Sequence, residues 1–156
     1  MKKRCSWFGL FVLLVTFLFA GEQSVCAAMR KYYLSKKTVD GAHALNACAT
    51  GYHMASLAEI FNTSVLKYNK QLGRKSEDSG SGPPNTIFGW IRTGWVSDKS
   101  GSPGQANCSL WTDTDQGGTM VSPFNPDWNT AATNSSPWNA TVGLCSNAQP
   151  VWCVEN

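Results

Sequence analysis

Apolar and polar positions alternate along this chain with two different periods, and a continuous apolar run precedes both. Trp7 to Ala20 is a run of fourteen mostly apolar residues behind the cations Lys2, Lys3 and Arg4. It is too short to span a bilayer, which takes about twenty residues, and it suits the hydrophobic region of a signal peptide. Small residues at Val25-Cys26-Ala27 place the cleavage after Ala27 or Ala28. The residues before Cys26 lack the pattern of a lipid attachment site. The sequence therefore divides into a leader at 1–28 and one domain at 29–156.

Lys31-Tyr-Tyr-Leu-Ser35 reads as an edge strand. Thr38 then opens a predicted helix on which Ala42, Leu45 and Cys48 share a face, with Gly51 as its stop. His53-Met54-Ala55 is a short extended link. Ser56-Leu-Ala-Glu59 matches a capping box, in which a serine and a glutamate three residues later satisfy free backbone N–H groups. The helix it opens is predicted to carry Leu57, Phe61, Val65, Tyr68 and Leu72 on one stripe.

Beyond Leu72 the helical period ends. Gly73 to Asn85, with Ser-Gly-Ser-Gly-Pro-Pro, is a loop with little to bury. Ile87 to Val96 supplies core candidates Ile87, Trp90, Ile91, Trp95 and Val96, and its glycines predict a bend or close backbone packing. After the polar stretch 97–107, Cys108 to Thr112 reads as a short strand. Asp113 to Gly118 turns the chain into Thr119-Met-Val121. Ser122 to Trp138 is a long polar loop around Trp128, and Pro150 to Glu155 is the last strand. Two helices followed by short strands and long loops define an α+β fold.

Cysteine and charge narrow the setting. Without the leader, Cys48, Cys108, Cys145 and Cys153 remain, an even set that allows three pairings and belongs to an oxidising compartment. Cys153 and Trp152 stand almost at the C-terminus, where a chain frays unless tethered. Two histidines, His43 and His53, and no Cys-x-x-Cys supply a zinc site poorly. Ten basic against nine acidic residues leave a net charge of +1 after the leader, no basis for binding nucleic acid. The expected location is secreted, extracellular or periplasmic, without stable membrane insertion.

Ala44-Leu-Asn-Ala-Cys48, Gly51 to Ile60, Gly89-Trp-Ile91, Trp138-Asn139 and the closing Cys145…Cys153 pair together resemble the C-type lectin-like domain. Asn107-Cys-Ser-Leu-Trp-Thr112 and Val151-Trp-Cys-Val-Glu155 are similar to a secreted bacterial branch of that superfamily, of unknown function. The resemblance implies two helices packed on short antiparallel strands with long loops. It also implies disulfides Cys48–Cys153 and Cys108–Cys145, and a ligand face formed by the long loops.

Sugar-binding members of that superfamily hold calcium with paired carboxylate and amide triplets. Here Asn125-Pro126-Asp127 lacks the leading long side chain, and Trp138-Asn139-Ala140 has alanine where the carboxylate belongs. Asp127 with Asn125, Asn129 and Asn139 would form at best a weak calcium site, and no cofactor is otherwise called for. Asp113-Thr-Asp-Gln-Gly117 is a turn rather than a calcium loop, because its twelfth position is Phe124. Catalytic motifs are missing, Glu59 is accounted for as a cap, and both histidines read as structural or solvated; a non-catalytic protein is expected.

Of the tryptophans, Trp90 and Trp152 suit a core. Trp128 and Trp138 lie in polar loops where a ring can stack on a sugar or anchor a protein, with loop packing as the alternative. The expected ligand-binding residues are Asp127, Trp128, Asn129, Trp138 and Asn139, and the expected ligand is a carbohydrate or a cell-surface protein. A structural or adhesive module without glycan specificity is the alternative, and a small secreted enzyme a distant third.

Overall fold

A computed structural model describes residues 28–75, 80–93, 102–123 and 138–156. Residues 1–27 of the expected leader, Trp95, Val96, Asn125, Asp127, Trp128 and Asn129 lie outside the described residues. Among the described residues the strands are β1 (Arg30–Leu34), β2 (Tyr52–Met54), β3 (Leu66–Tyr68), β4 (Gly89–Trp90), β5 (Gly117–Pro123), β6 (Trp138–Leu144) and β7 (Trp152–Glu155). One four-stranded sheet has the order β2-β7-β1-β3, and an antiparallel three-stranded sheet has the order β4-β5-β6. The fold is mixed α+β, with short helical segments. Among the described residues no helix is long and apolar enough to cross a membrane.

The first strand is interior rather than at an edge. β1 pairs antiparallel with β7, Tyr33 opposite Cys153, and parallel with β3, Tyr32 beside Tyr68. Tyr32, Tyr33 and Leu34 are consecutive and all buried, as expected of a strand covered on both faces. Tyr33 packs edge-on to Tyr52 at 5.1 Å, and its hydroxyl accepts the Ala49 N–H at 2.7 Å.

The first predicted helix is a short 3₁₀ segment, Gly41–Asn46, capped by Asp40, whose carboxylate accepts the His43 N–H at 3.0 Å. Three residues per turn align positions i and i+3, so Gly41 and Ala44 face inward and Leu45 is left 39% exposed. Close packing explains the choice. The Gly41 N–H donates to the Cys145 carbonyl at 2.7 Å, and a Cβ at Gly41 would overlap the Cys108 sulfur.

The second predicted helix is cut to one turn, α1 (Leu57–Phe61). Its capping box forms as expected, with both Ser56 and Glu59 bonds in place. The stripe does not continue: Phe61, Val65 and Leu72 are exposed, while Leu66 and Tyr68 are buried on β3. Asn62-Thr-Ser-Val65 are poor helix formers. The open side of β1 meanwhile offers a ladder that buries alternate residues. Period two wins over period 3.6.

Cys108 to Trp111, expected as a strand, is a single left-handed turn, with φ of 50°, 51°, 61° and 64° at Cys108, Ser109, Leu110 and Trp111. That geometry costs about 1–2 kcal/mol per residue, so tertiary bonds must hold it. The buried Asn107 side chain accepts the Leu110 N–H at 3.1 Å, and Trp111 packs edge-on to Trp90 at 5.9 Å.

The disulfides are Cys48–Cys153 and Cys108–Cys145, the two pairs implied by the resemblance. Trp90 and Trp152 are fully buried, as expected. The Trp152 indole N–H donates to the Val121 carbonyl at 2.8 Å, which joins the two sheets, and the Trp90 indole N–H donates to the Val39 carbonyl at 2.9 Å. The expected close approach of backbone occurs at Gly89, where a Cβ would overlap the Leu34 side chain and lie 3.0 Å from the Trp152 indole. Gly89→Ala is expected to cost about 1–3 kcal/mol by overpacking, checked by urea denaturation.

Candidate functional site

The β5–β6 ribbon flanks 124–137, the polar stretch where the sequence places the expected ligand residues. Its pairing runs from Gly117 opposite Leu144 to Pro123 opposite Trp138, with every intervening residue in register. Near its closed end, the Cys145 sulfur that bonds Cys108 anchors the ribbon, and the Cys145 N–H donates to the Gln116 carbonyl at 2.8 Å. The chain bends at 114–116, with the Asp113 carboxylate accepting the Asp115 N–H at 2.9 Å, while Gly117 and Gly118, read as part of the turn, already belong to β5. At the open end, Trp138 is 5% exposed and stands perpendicular to Trp152 at 5.0 Å.

Two of the five expected ligand-binding residues thus fall on described positions, and they part company. Trp138 is buried with its ring packed against the core, as in the packing alternative read for it from the sequence. Asn139, the next residue along the strand, is exposed. Strand alternation separates them: neighbours point to opposite faces. Ser122 and Pro123, read as the start of the long loop, belong to β5, with Ser122 buried.

A second constellation was only half legible in the sequence. Glu59 accepts hydrogen bonds from the Ser56 N–H at 3.0 Å, the Ser56 hydroxyl at 2.8 Å and Arg30 Nη1 at 3.0 Å, and lies 3.2 Å from His53 Nε2. Arg30 Nε also donates to the Glu155 carbonyl at 2.8 Å, and His53 Nδ1 lies 2.7 Å from the Asn156 side-chain oxygen. A hollow of about 280 Å³ opens here, lined by His53, Met54, Ser56, Glu59, Arg92 and Thr93. Partial burial raises the Glu59 pKa, but the bonds from Ser56, Arg30 and His53 outweigh it and hold the group at about 2. A carboxylate so supplied with donors carries no proton to give at neutral pH. Its chemistry is that of a clasp between α1 and the C-terminal residues.

The clasp has a pH signature. A depressed folded-state pKa contributes stability that is present above the unfolded value, here 4.5, and lost as pH falls towards about 2. Glu59→Gln is expected to cost about 1 kcal/mol at neutral pH. It should also flatten the fall of melting temperature between those two pH values, read from melts across the acid range.

His43, the other histidine, is exposed, with its Nδ1 2.6 Å from the Asp40 carboxylate. Among the described residues no group of three or more His, Cys, Asp or Glu side chains is placed to hold a metal ion. No protein-family model matches the chain, and no curated protein or solved structure matches it.

Proposed function

We propose that this chain is a secreted, non-catalytic binding domain of the C-type lectin-like kind, which recognises a carbohydrate or a cell-surface protein through its long-loop face. The observation that carries the reading is the β5–β6 ribbon, pinned near one end by a disulfide and at the other by Trp138 on Trp152. Pro123 and Trp138, which flank 124–137 in the sequence, are therefore held side by side. Recognition residues concentrate on loops held by a rigid scaffold. In this reading Trp128 is the anchor, with Asp127, Asn129 and the exposed Asn139 around it.

Further support comes from the two disulfides and from the pairing of the first strand with the last, which closes the domain on itself. Disulfides of this kind persist in oxidising compartments, in keeping with export by the leader to an extracellular or periplasmic location. The burial of Trp138 favours a second reading, an adhesive module without glycan specificity, because it withdraws one of two rings from sugar stacking. A glycan array run with and without calcium tests the choice: selective spots support the first reading, and a blank array with retained cell adhesion supports the second.

Calcium is not needed for either reading. Ala140 lies opposite Val121 in the ribbon and brings no side-chain oxygen where the sugar-binding relatives have a carboxylate. Calcium affinity is expected to be millimolar at best, on the scale of weak extracellular sites. Calorimetry that returned micromolar binding would contradict this.

A further inference from the structure

The open edge of the four-stranded sheet carries a second hollow, of about 580 Å³, lined by Lys31, Lys67, Tyr68, Asn69, Lys70, Gln71 and Ser81. We propose that it is a binding site for an acidic saccharide, a sugar unit bearing a carboxylate or sulfate, separate from the long-loop face.

Charge placement is the first observation. The parallel register of β1 and β3 sets Lys31 directly beside Lys67, and like charges side by side on a sheet are unfavourable. Lys31 is partly balanced by Glu155, 3.7 Å away. Lys67 and Lys70 have no acidic partner among the described residues. A further ammonium reaches the rim: Lys36 Nζ donates to the Gln71 carbonyl at 2.8 Å. The domain as a whole is close to neutral, and among the described residues these cations gather at this one edge.

Preorganisation is the second. The Asn69 side-chain oxygen accepts the Gln71 N–H at 3.1 Å and the Leu72 N–H at 3.3 Å, while its amide donates to the Tyr52 hydroxyl at 3.1 Å. The Tyr68 hydroxyl donates to the Arg74 carbonyl at 2.7 Å. The turn that forms the wall is thus held before any ligand arrives, which removes part of the ordering cost of binding. Its volume lies within the range of about 300–1,000 Å³ typical of small-molecule sites. The Gln71 amide and Ser81 hydroxyl supply neutral groups for sugar hydroxyls, and the lysines supply the counter-charge.

The test is an amide chemical-shift titration of the protein with digalacturonic acid, a sulfated heparin disaccharide and neutral maltose. Both acids are expected to shift Lys31, Lys67, Lys70 and Ser81, weakening as salt is raised towards about 0.5 M through screening, while maltose shifts none of them. The double variant Lys67→Gln/Lys70→Gln is expected to lose at least about tenfold in affinity, as removal of two close charge partners implies, with an unchanged melting temperature. Trp128→Ala should leave this titration unaltered, which separates the site from the long-loop reading. An equal response to maltose, shifts that map elsewhere, or no response up to about 10 mM, beyond any useful affinity, would overturn the proposal.

Discussion

Replacing Cys48 with serine is expected to unfold the domain at physiological temperature. The bond to Cys153 closes a separation of 105 residues, and chain entropy assigns such a closure about 4.7 kcal/mol. A domain of this size holds about 5–15 kcal/mol in total. The loss is compounded by position. Cys153 sits in β7 between its two neighbours, opposite Tyr33 on β1 and Met54 on β2, and is fully buried. Cys108→Ser should cost less, about 4 kcal/mol, because its bond spans 37 residues. Urea unfolding under non-reducing conditions ranks the two. A Cys48 variant that kept a native midpoint would show that sheet packing alone carries the fold.

Trp152→Ala is expected to cost about 3–5 kcal/mol, the usual range for emptying a buried aromatic site. Trp152 is fully buried, lies 6.1 Å from Tyr32 in a stacked arrangement, and meets Trp138 edge-on. Its removal also takes from the Val121 carbonyl the indole N–H bond that ties the two sheets together. Under the proposed long-loop reading the effect should spread to binding, since Trp138 loses the ring on which it packs. Trp152→Phe should recover part of the packing but not that hydrogen bond, and its denaturation midpoint should fall between the other two.

Legibility in the sequence tracked the range of the interaction. The capping box at Ser56 and Glu59 was readable because it is made by residues three apart. The core roles of Trp90 and Trp152 followed from bulk and apolar surroundings. What failed was decided at a distance. The 3₁₀ phase that turns Ala44 rather than Leu45 inward comes from the Cys108–Cys145 bond pressed against Gly41. The helix that stops at Phe61 gives way to a ladder with β1, contributed by residues thirty-six positions earlier in the register, Arg30 beside Leu66. The left-handed turn at Cys108 is held by the buried Asn107 and by Trp90, and no propensity announces it. Glu59 reads as a cap alone because Arg30 reaches it, and Asn156 reaches its neighbour His53, only in the folded chain.

The expected ligand residues show the same division. Aromatic residues in a polar stretch marked Trp128 and Trp138 alike, and only strand alternation distinguishes a ring packed on Trp152 from an exposed neighbour such as Asn139. The cationic hollow was invisible in a near-neutral composition, because Lys31 and Lys67 meet only through the parallel register.

Paired melting and binding measurements on Trp128→Ala and Trp138→Ala, read against glycan and cell-surface protein arrays, test the long-loop reading most directly. Trp128→Ala is expected to weaken binding by at least about 2 kcal/mol, as loss of an anchoring aromatic does, with its melting temperature unchanged. Trp138→Ala is expected to lower the melting temperature by several degrees through the emptied core site. A Trp128→Ala protein that melts early, or that binds as tightly as the parent, would contradict the assignment.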